Sequence, residues 1–516
     1  MNRKKHIVLI LLFASLTSCS DWLTLEPAGK VIEADFWKKE SDVESVVATC
    51  YREMLEDEFM NKIIVWGELR SDNIIAGDGL GPVESKILEA NIQPDNAYTN
   101  WNKFYSVINF CNIVLHYAPR VKAIDPDFTT AELNAKLAEA LTLRSLCYFY
   151  LIRTFKDVPF ILEPTLNDIQ DYKVGQSSEQ VIIEQLKSDL LQSEGWAMKA
   201  YSSEKYTKGR ITKNAVRALL ADIYLWNKEY SNCIQYCDKI IDEKASMLKE
   251  NESLLIQNDM DPYFLIFGKK NSEESIFELQ FDNSYKANSK IGSFYGDNST
   301  PSGDFSTSTF IVTGSSIFAG SDVRKKDWFN NTEAKGLYPI IKYSGLFRTE
   351  NVAGISTYVY RTDSPNWIFY RLTDVMLMKA EALVQLNRTE QDLKLALNIV
   401  NLTYKRSNPT ILNDTLAFAS HSSQRQMEEL VLLERQRELM FEGKRWFDLL
   451  RLARRDGSTS RLLDKVLRKY TIDQTTIKSK MSEIDALYMP INENEMKVNP
   501  LLKQNPFYET NSLITY

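Results

Sequence analysis

Apolar residues recur every three or four positions through most of the chain, and this spacing sets the expected fold class. In 214-NAVRALLADIYLWNKEYSNCIQYCDKIID-242, Val216, Leu219, Ile223 and Trp226 form one stripe. Tyr230, Cys233, Cys237 and Ile240 form a second after a break at Asn227-Lys228. Each set falls on one helix face, so the segment predicts a helical hairpin. Similar patterns over 42–55, 101–117, 129–155 and 177–196 predict further helices. Thr129 with Glu132, and Ser177 with Gln180, have the spacing of capping boxes, which places two helix starts. Another hairpin is predicted over 368–387 and 391–407, with Phe369, Leu372, Met376, Ala380 and Leu383 on one stripe. The expected fold is mainly α.

Two stretches break the pattern. Residues 67–97 and about 280–366 are rich in Gly, Ser, Asn and Asp, with short β-like runs such as 357-TYVYR-361. Loop insertions of this length in a compact protein are usually functional. The second carries rings from Tyr285 to Tyr360 among amides and hydroxyls, the chemistry that receives sugars: C–H faces lie on rings while hydroxyls find directional partners. A platform ring must be exposed. Tyr295 (SFYGDNS), Trp328 (KKDWFNN) and Tyr343 (IKYSGL) are the expected platforms, with Asp72 and Asn73 of the earlier loop as hydrogen-bonding partners. In the helical part, Leu220, Ala221, Tyr224, Tyr230 and Cys233 resemble a tetratricopeptide unit, although Arg217 replaces the usual first-helix Trp.

The run 434-ERQRELMFEGKRWFDLLRLARRDG-457 interleaves acids and bases around a glycine. Glu438 and Glu442 are four apart, about 5–6 Å at Cβ on a helix, near the separation of a retaining glycosidase pair. A surface hydrolase is therefore one reading. The other is structural: Arg435 lies three before Glu438, Arg445 three after Glu442, and Asp448 between Arg445 and Arg451, so the acids are expected to be ion-paired pins.

Composition narrows the class. With 516 residues, 44% hydrophobic and 11% aromatic, the chain can bury a large core. A net charge of −7 and a pI near 5.4 give no electrostatic footprint for nucleic acid. Arg3, Lys4 and Lys5 precede the apolar 7-IVLILLFASL-16, which predicts a signal peptide over residues 1–18. Beyond Cys19, the cysteines are Cys50, Cys111, Cys147, Cys233 and Cys237, an odd number scattered along apolar stripes, and they are read as core thiols. His6, His116 and His421 are too few and too scattered for a His-built metal site. D-x-[DN]-x-[DN]-G is absent, and no metal or other cofactor is expected.

Seven blocks in order carry a resemblance over almost the whole chain. They are 16-LTSCSDWLTLEP-27, W-x3-Y-x2-I-x2-CN in 101-WNKFYSVINFCN-112, and 139-EALTLRSLCYFYLIRTFKDVPF-160. ESIFELQF, 371-RLTDVMLMKAEAL-383, 434-ERQRELMFEGKRWFDLLR-451 and 487-LYMPINENEMKVNPLLKQNPFY-508 complete the set. The arrangement resembles the SusD/RagB family of outer-membrane lipoproteins of Bacteroidota, with Ser145 and Phe507 departing from the usual Ala and Gly. The resemblance implies one SusD-like domain over 19–516, a TPR-like helical scaffold with an irregular ligand-binding portion. It also implies lipidation at Cys19, surface exposure on the outer membrane, no catalysis, and capture of a glycan for a SusC-like TonB-dependent transporter. Capture of peptide by the same kind of lid is the alternative it leaves open.

Overall fold

The computed structural model describes residues 36–166, 173–249, 252–257, 262–296, 303–314, 317–318, 321–329, 337–343, 347–350, 356–359, 361–409 and 415–511, and for 347–350, 356–359 and 510–511 the backbone alone. The expected signal peptide and Cys19 lie outside these residues.

The longer helices are α1 (Glu40–Met54), α2 (Asn102–Ile124), α3 (Thr130–Phe155), α4 (Glu179–Trp196), α5 (Lys213–Trp226), α6 (Tyr230–Ser246), α7 (Leu372–Leu386), α8 (Glu390–Ser407), α9 (Gln424–Leu439) and α10 (Arg445–Asp456). From α1 to α8 each packs against the next, and α9 closes on α7 and α8. Neighbours in sequence are thus neighbours in space, as in a TPR-like scaffold of stacked hairpins. The α5–α6 hairpin buries the predicted stripes: Val216, Ile223, Trp226, Cys233 and Cys237 are each at most 1% exposed. Cys50, Cys111 and Cys147 are likewise buried free thiols. No described helix is long and apolar enough to cross a membrane.

Caps decide the helix boundaries. Thr129 and Glu132 form the expected box at the start of α3. Ser177 does not cap α4: it pairs in a short strand with Val158, and Ser178 takes the N-cap position without a side-chain bond. The hairpin predicted from 368 also begins later, because Trp367–Arg371 forms a strand against Ser275–Leu279, and α7 starts at Leu372. Phe369 is buried as expected, but in that strand, stacked on Phe277 at 5.4 Å. A run buried on both sides reads alike as helix or strand, and pairing decides it.

The irregular portions fold against the helical stack. Ile75–Ala76 pairs with Phe305–Ser308, which pairs with Leu337–Pro339, so the two insertions share one small antiparallel sheet. Residues 67–97 are not loop throughout, since Pro82–Leu88 is helical and a π-turn spans Val65–Leu69.

Candidate ligand-binding site

The charged run lies at the junction between the insertions and the helices. Glu438 and Glu442 are 0% and 2% exposed. Glu438 accepts from Arg371 at 2.8 Å, from Arg324 at 3.1 Å and from Arg406. Glu442 accepts two bonds from Arg371, at 2.7 and 2.9 Å, and one from Lys342 at 2.6 Å. Burial alone would raise both carboxyls, but the surrounding cations hold them below the usual carboxylate range. General acid catalysis needs the opposite, a carboxyl kept protonated. Both acids are pins, as one reading expected, yet their partners differ from the expected ones. Arg435 pairs with Asp374 and Asp448, and Arg445 with Asp72, while Arg371 and Arg406 reach Glu438 from other elements. The expected Asp448–Arg451 pair does form, at 2.8 Å.

This layer fixes the second insertion to the scaffold. Arg324 and Lys342 come from the insertion, Arg371 and Arg406 from the scaffold, and all four converge on the segment 434–442. The chain reverses there, with Phe441 and Gly443 at φ 69° and 70°. Beside the turn, burial pushes the Glu68 carboxyl up to about 7, although Asn73 and the Phe441 amide both donate to it.

The expected platforms are part of this foundation. Tyr295, Trp328 and Tyr343 are 0%, 1% and 1% exposed, so none presents a ring face to solvent. Tyr295 stacks on Tyr343 at 6.0 Å, and Tyr343 on Trp367 at 5.5 Å. The Tyr295 hydroxyl donates to the Phe441 carbonyl at 3.1 Å, and Trp328 Nε1 donates to that of Arg437 at 2.7 Å. These rings tie the insertion to the charged turn. Asp72 and Asn73 are buried too: Arg445 donates twice to Asp72, at 2.7 and 2.9 Å, and Gln436 donates to both residues. The two residues, expected as hydrogen-bonding partners for a ligand, thus direct their side chains to Arg445, Gln436 and Glu68 within the protein.

Exposure lies elsewhere in the insertion. A cleft of about 420 Å³ opens between the helix Ser289–Tyr295 and residues 361–365, with Asn283, Asn288, Arg361 and Asp363 along its walls and Tyr343 among its lining residues. Arg361 is held by Asp363 at 3.0 Å and by the Phe267 and Gly268 carbonyls at 2.9 and 3.1 Å. Asn283 accepts from Ser364 and donates to the Thr362 carbonyl, and Asn288 donates to that of Pro365. The walls are thus set before any ligand arrives. Tyr285 stands on the turn between the lining residues Asn283 and Ala287 and is 92% exposed. Lys286 anchors the turn to Glu56 at 3.0 Å. Among the described residues, no group of three His, Cys, Asp or Glu side chains is placed to hold a metal ion.

Comparison with known proteins agrees with this architecture. The model of the SusD family matches residues 313–508, and that described as "Starch-binding associating with outer membrane" matches residues 21–225. SusD-like protein P38 of Formosa agariphila is 26% identical over 87% of this chain and 92% of its own length. Crystal structures of SusD superfamily proteins from Bacteroides thetaiotaomicron and Bacteroides vulgatus superpose with TM-scores of 0.70 and 0.71 at 19% and 18% identity. Each superposition covers 92% of this chain, and 99% and 100% of the respective structures. The chain belongs to the SusD/RagB family, whose members are glycan-binding proteins associated with the outer membrane.

Proposed function

We propose that this protein captures oligosaccharide at the cell surface and passes it to a SusC-like TonB-dependent transporter, without catalysis. The observation that carries this reading is Tyr285, an exposed ring on the turn between Asn283 and Ala287, two residues that line a cleft whose amide, carboxylate and guanidinium groups are already oriented. The ring supplies an apolar face for sugar C–H groups, while Asn283, Asn288, Arg361 and Asp363 retain lone pairs and N–H groups for hydroxyls. The starch-binding description of the matched family supports the ligand class. Affinity is modest, because hydroxyls leave good hydrogen bonds to water.

Truncation to Tyr285→Ala should weaken glycan binding by about 1–2 kcal/mol without lowering the melting temperature, since the ring packs little in the free protein. Calorimetry on the soluble form beginning after Cys19, with a panel of neutral and acidic polysaccharides, checks this. Silence across the panel, or binding by Tyr285→Ala equal to wild type, overturns the assignment.

Residues 1–18 serve as the signal peptide, and Cys19 carries the lipid anchor of the single domain 19–516. Cys19→Ala should release the folded protein from washed outer membranes of cells lacking the transporter. Unchanged retention in that fraction counts against a lipid anchor.

A further inference from the structure

A second cleft, of about 450 Å³, lies on another face, between α9, the helix Ser460–Val466 with the following turn Leu467–Lys469, the helix Thr309–Thr313 and the turn Phe418–His421. Its size suits a small ligand. Phe310, Ile317, Leu430 and Leu433 supply an apolar wall with a single aromatic ring.

The charges around it do not balance. Asp72, at its base, is saturated by Arg445 and Gln436. Glu429, on its side, is matched by Lys465 at 2.7 Å and Arg461 at 2.6 Å. Two guanidinium groups are left over. Arg425 is exposed and reaches Glu429 at only 3.7 Å, beyond hydrogen-bond distance. Arg468 is exposed, lies over the Phe310 ring at 5.7 Å, and among the described residues has neither an ion-pair partner nor a hydrogen-bond acceptor. Stacking on a ring leaves the edge N–H groups of a guanidinium free to donate in the ring's plane.

We infer that this cleft binds a carboxylate joined to an apolar body, with the carboxylate on Arg468 and Arg425 and the body against Phe310, Leu430 and Leu433. The planar guanidinium fork matches a carboxylate in two parallel bonds. Branched aliphatic side chains match an apolar group better than a sugar ring, whose hydroxyls would face them unpaired. Two sources share this chemistry, the C-terminus of a short peptide and a free amphipathic acid. The site is independent of the cleft beside Tyr285.

Calorimetry with N-acetyl-Ala-Leu as its free acid, the corresponding amide, octanoate and a uronate oligosaccharide tests the inference on the soluble full-length domain. The free acid should bind, the amide should bind at least about tenfold more weakly, and binding should weaken as salt rises. Arg468→Gln and Arg425→Gln, both at exposed positions, should each lose about tenfold in affinity at unchanged melting temperature, and Arg468→Lys should recover only part. Tyr285→Ala should leave this binding intact, which separates failure here from failure of the glycan reading. Octanoate binding as tightly as the peptide assigns the source to a free acid, and binding of the peptide alone assigns it to a peptide terminus. Equal binding of acid and amide, indifference to both arginine substitutions, response to the uronate alone, or no binding at all overturns the inference.

Discussion

Glu438→Gln should unfold at markedly lower temperature and denaturant concentration than wild type. The substitution keeps the side chain's shape and removes one charge from a site where Arg324, Arg371 and Arg406 meet, each at most 3% exposed. Each cation keeps another acid, Asp322 and Glu434 for Arg324, Glu442 for Arg371 and Glu274 for Arg406, but three buried guanidinium groups lose one shared counter-charge, and breaking buried ion pairs in this way costs about 3–5 kcal/mol. An exposed pair such as Lys394–Glu390 offers the control, since its loss should cost under about 1 kcal/mol. Acid should act through the same groups. The folded-state pKa values of Glu438 and Glu442 lie below those of the unfolded chain, so their contribution is fully present above about pH 5. It declines as pH falls below the unfolded value near 4.3 and through the folded values. Glu68, pushed up to about 7, acts in the other direction, because the folded state binds its proton more tightly and stability from this group is lost between about pH 4.3 and 7. A flat thermal-stability profile between pH 7 and pH 3, or a Glu438→Gln melt equal to wild type, would show that the layer contributes little.

The helical scaffold was legible because its contacts are local. The stripes of α5 and α6 are each complete within one segment, and the two helices pack on each other, so periodicity alone reached the right pair. The charged run was legible only in kind. Interleaved signs announced that its acids are paired, but Arg371 lies 67 residues from Glu438 and Arg324 lies 114, and spacing along one helix does not report such partners. The rings misled for a different reason. Gly, Ser and Asn around Tyr295 mark irregular chain, not exposure, and this insertion folds back onto a charged layer that needs covering. A corrective signal was present, since Ile291, Phe294 and Tyr295 stand at i, i+3 and i+4 and form the buried face of the short helix Ser289–Tyr295. Tyr285 has no such companions: its neighbours in 282-DNSYKANS-289 are polar apart from Ala287, and it is exposed. Asn283, Asn288, Arg361 and Asp363 carried no local mark, because the cleft exists only where two distant parts of the insertion meet.

Gly67→Ala should be as damaging as loss of a charge, although it adds one carbon. Gly67 sits in the π-turn Val65–Leu69, and a Cβ there would lie 1.9 Å from the Gly443 carbonyl oxygen and 2.4 Å from its carbon. The obstacle is backbone, so no rotamer change relieves it. Gly443 has little room to retreat: its φ is +70°, and the space where its own Cβ would be is bounded by Trp367 at 2.9 Å and the Ile63 carbonyl at 3.3 Å. Displacing it moves Phe441 and Glu442, and so disturbs the Phe441 amide bond to Glu68 and the Lys342 and Arg371 bonds to Glu442. Ordinary overpacking costs about 1–3 kcal/mol, and a clash with immobile backbone should exceed it. Gly195→Ala is the matched comparison, because that glycine lies within α4 with nothing within 4 Å of the added carbon. There the change should stabilise by up to about 1 kcal/mol through helix propensity. Denaturant midpoints of the two variants should therefore move in opposite directions from wild type. A Gly67→Ala midpoint equal to wild type would mean that the π-turn and the charged turn can separate at no cost.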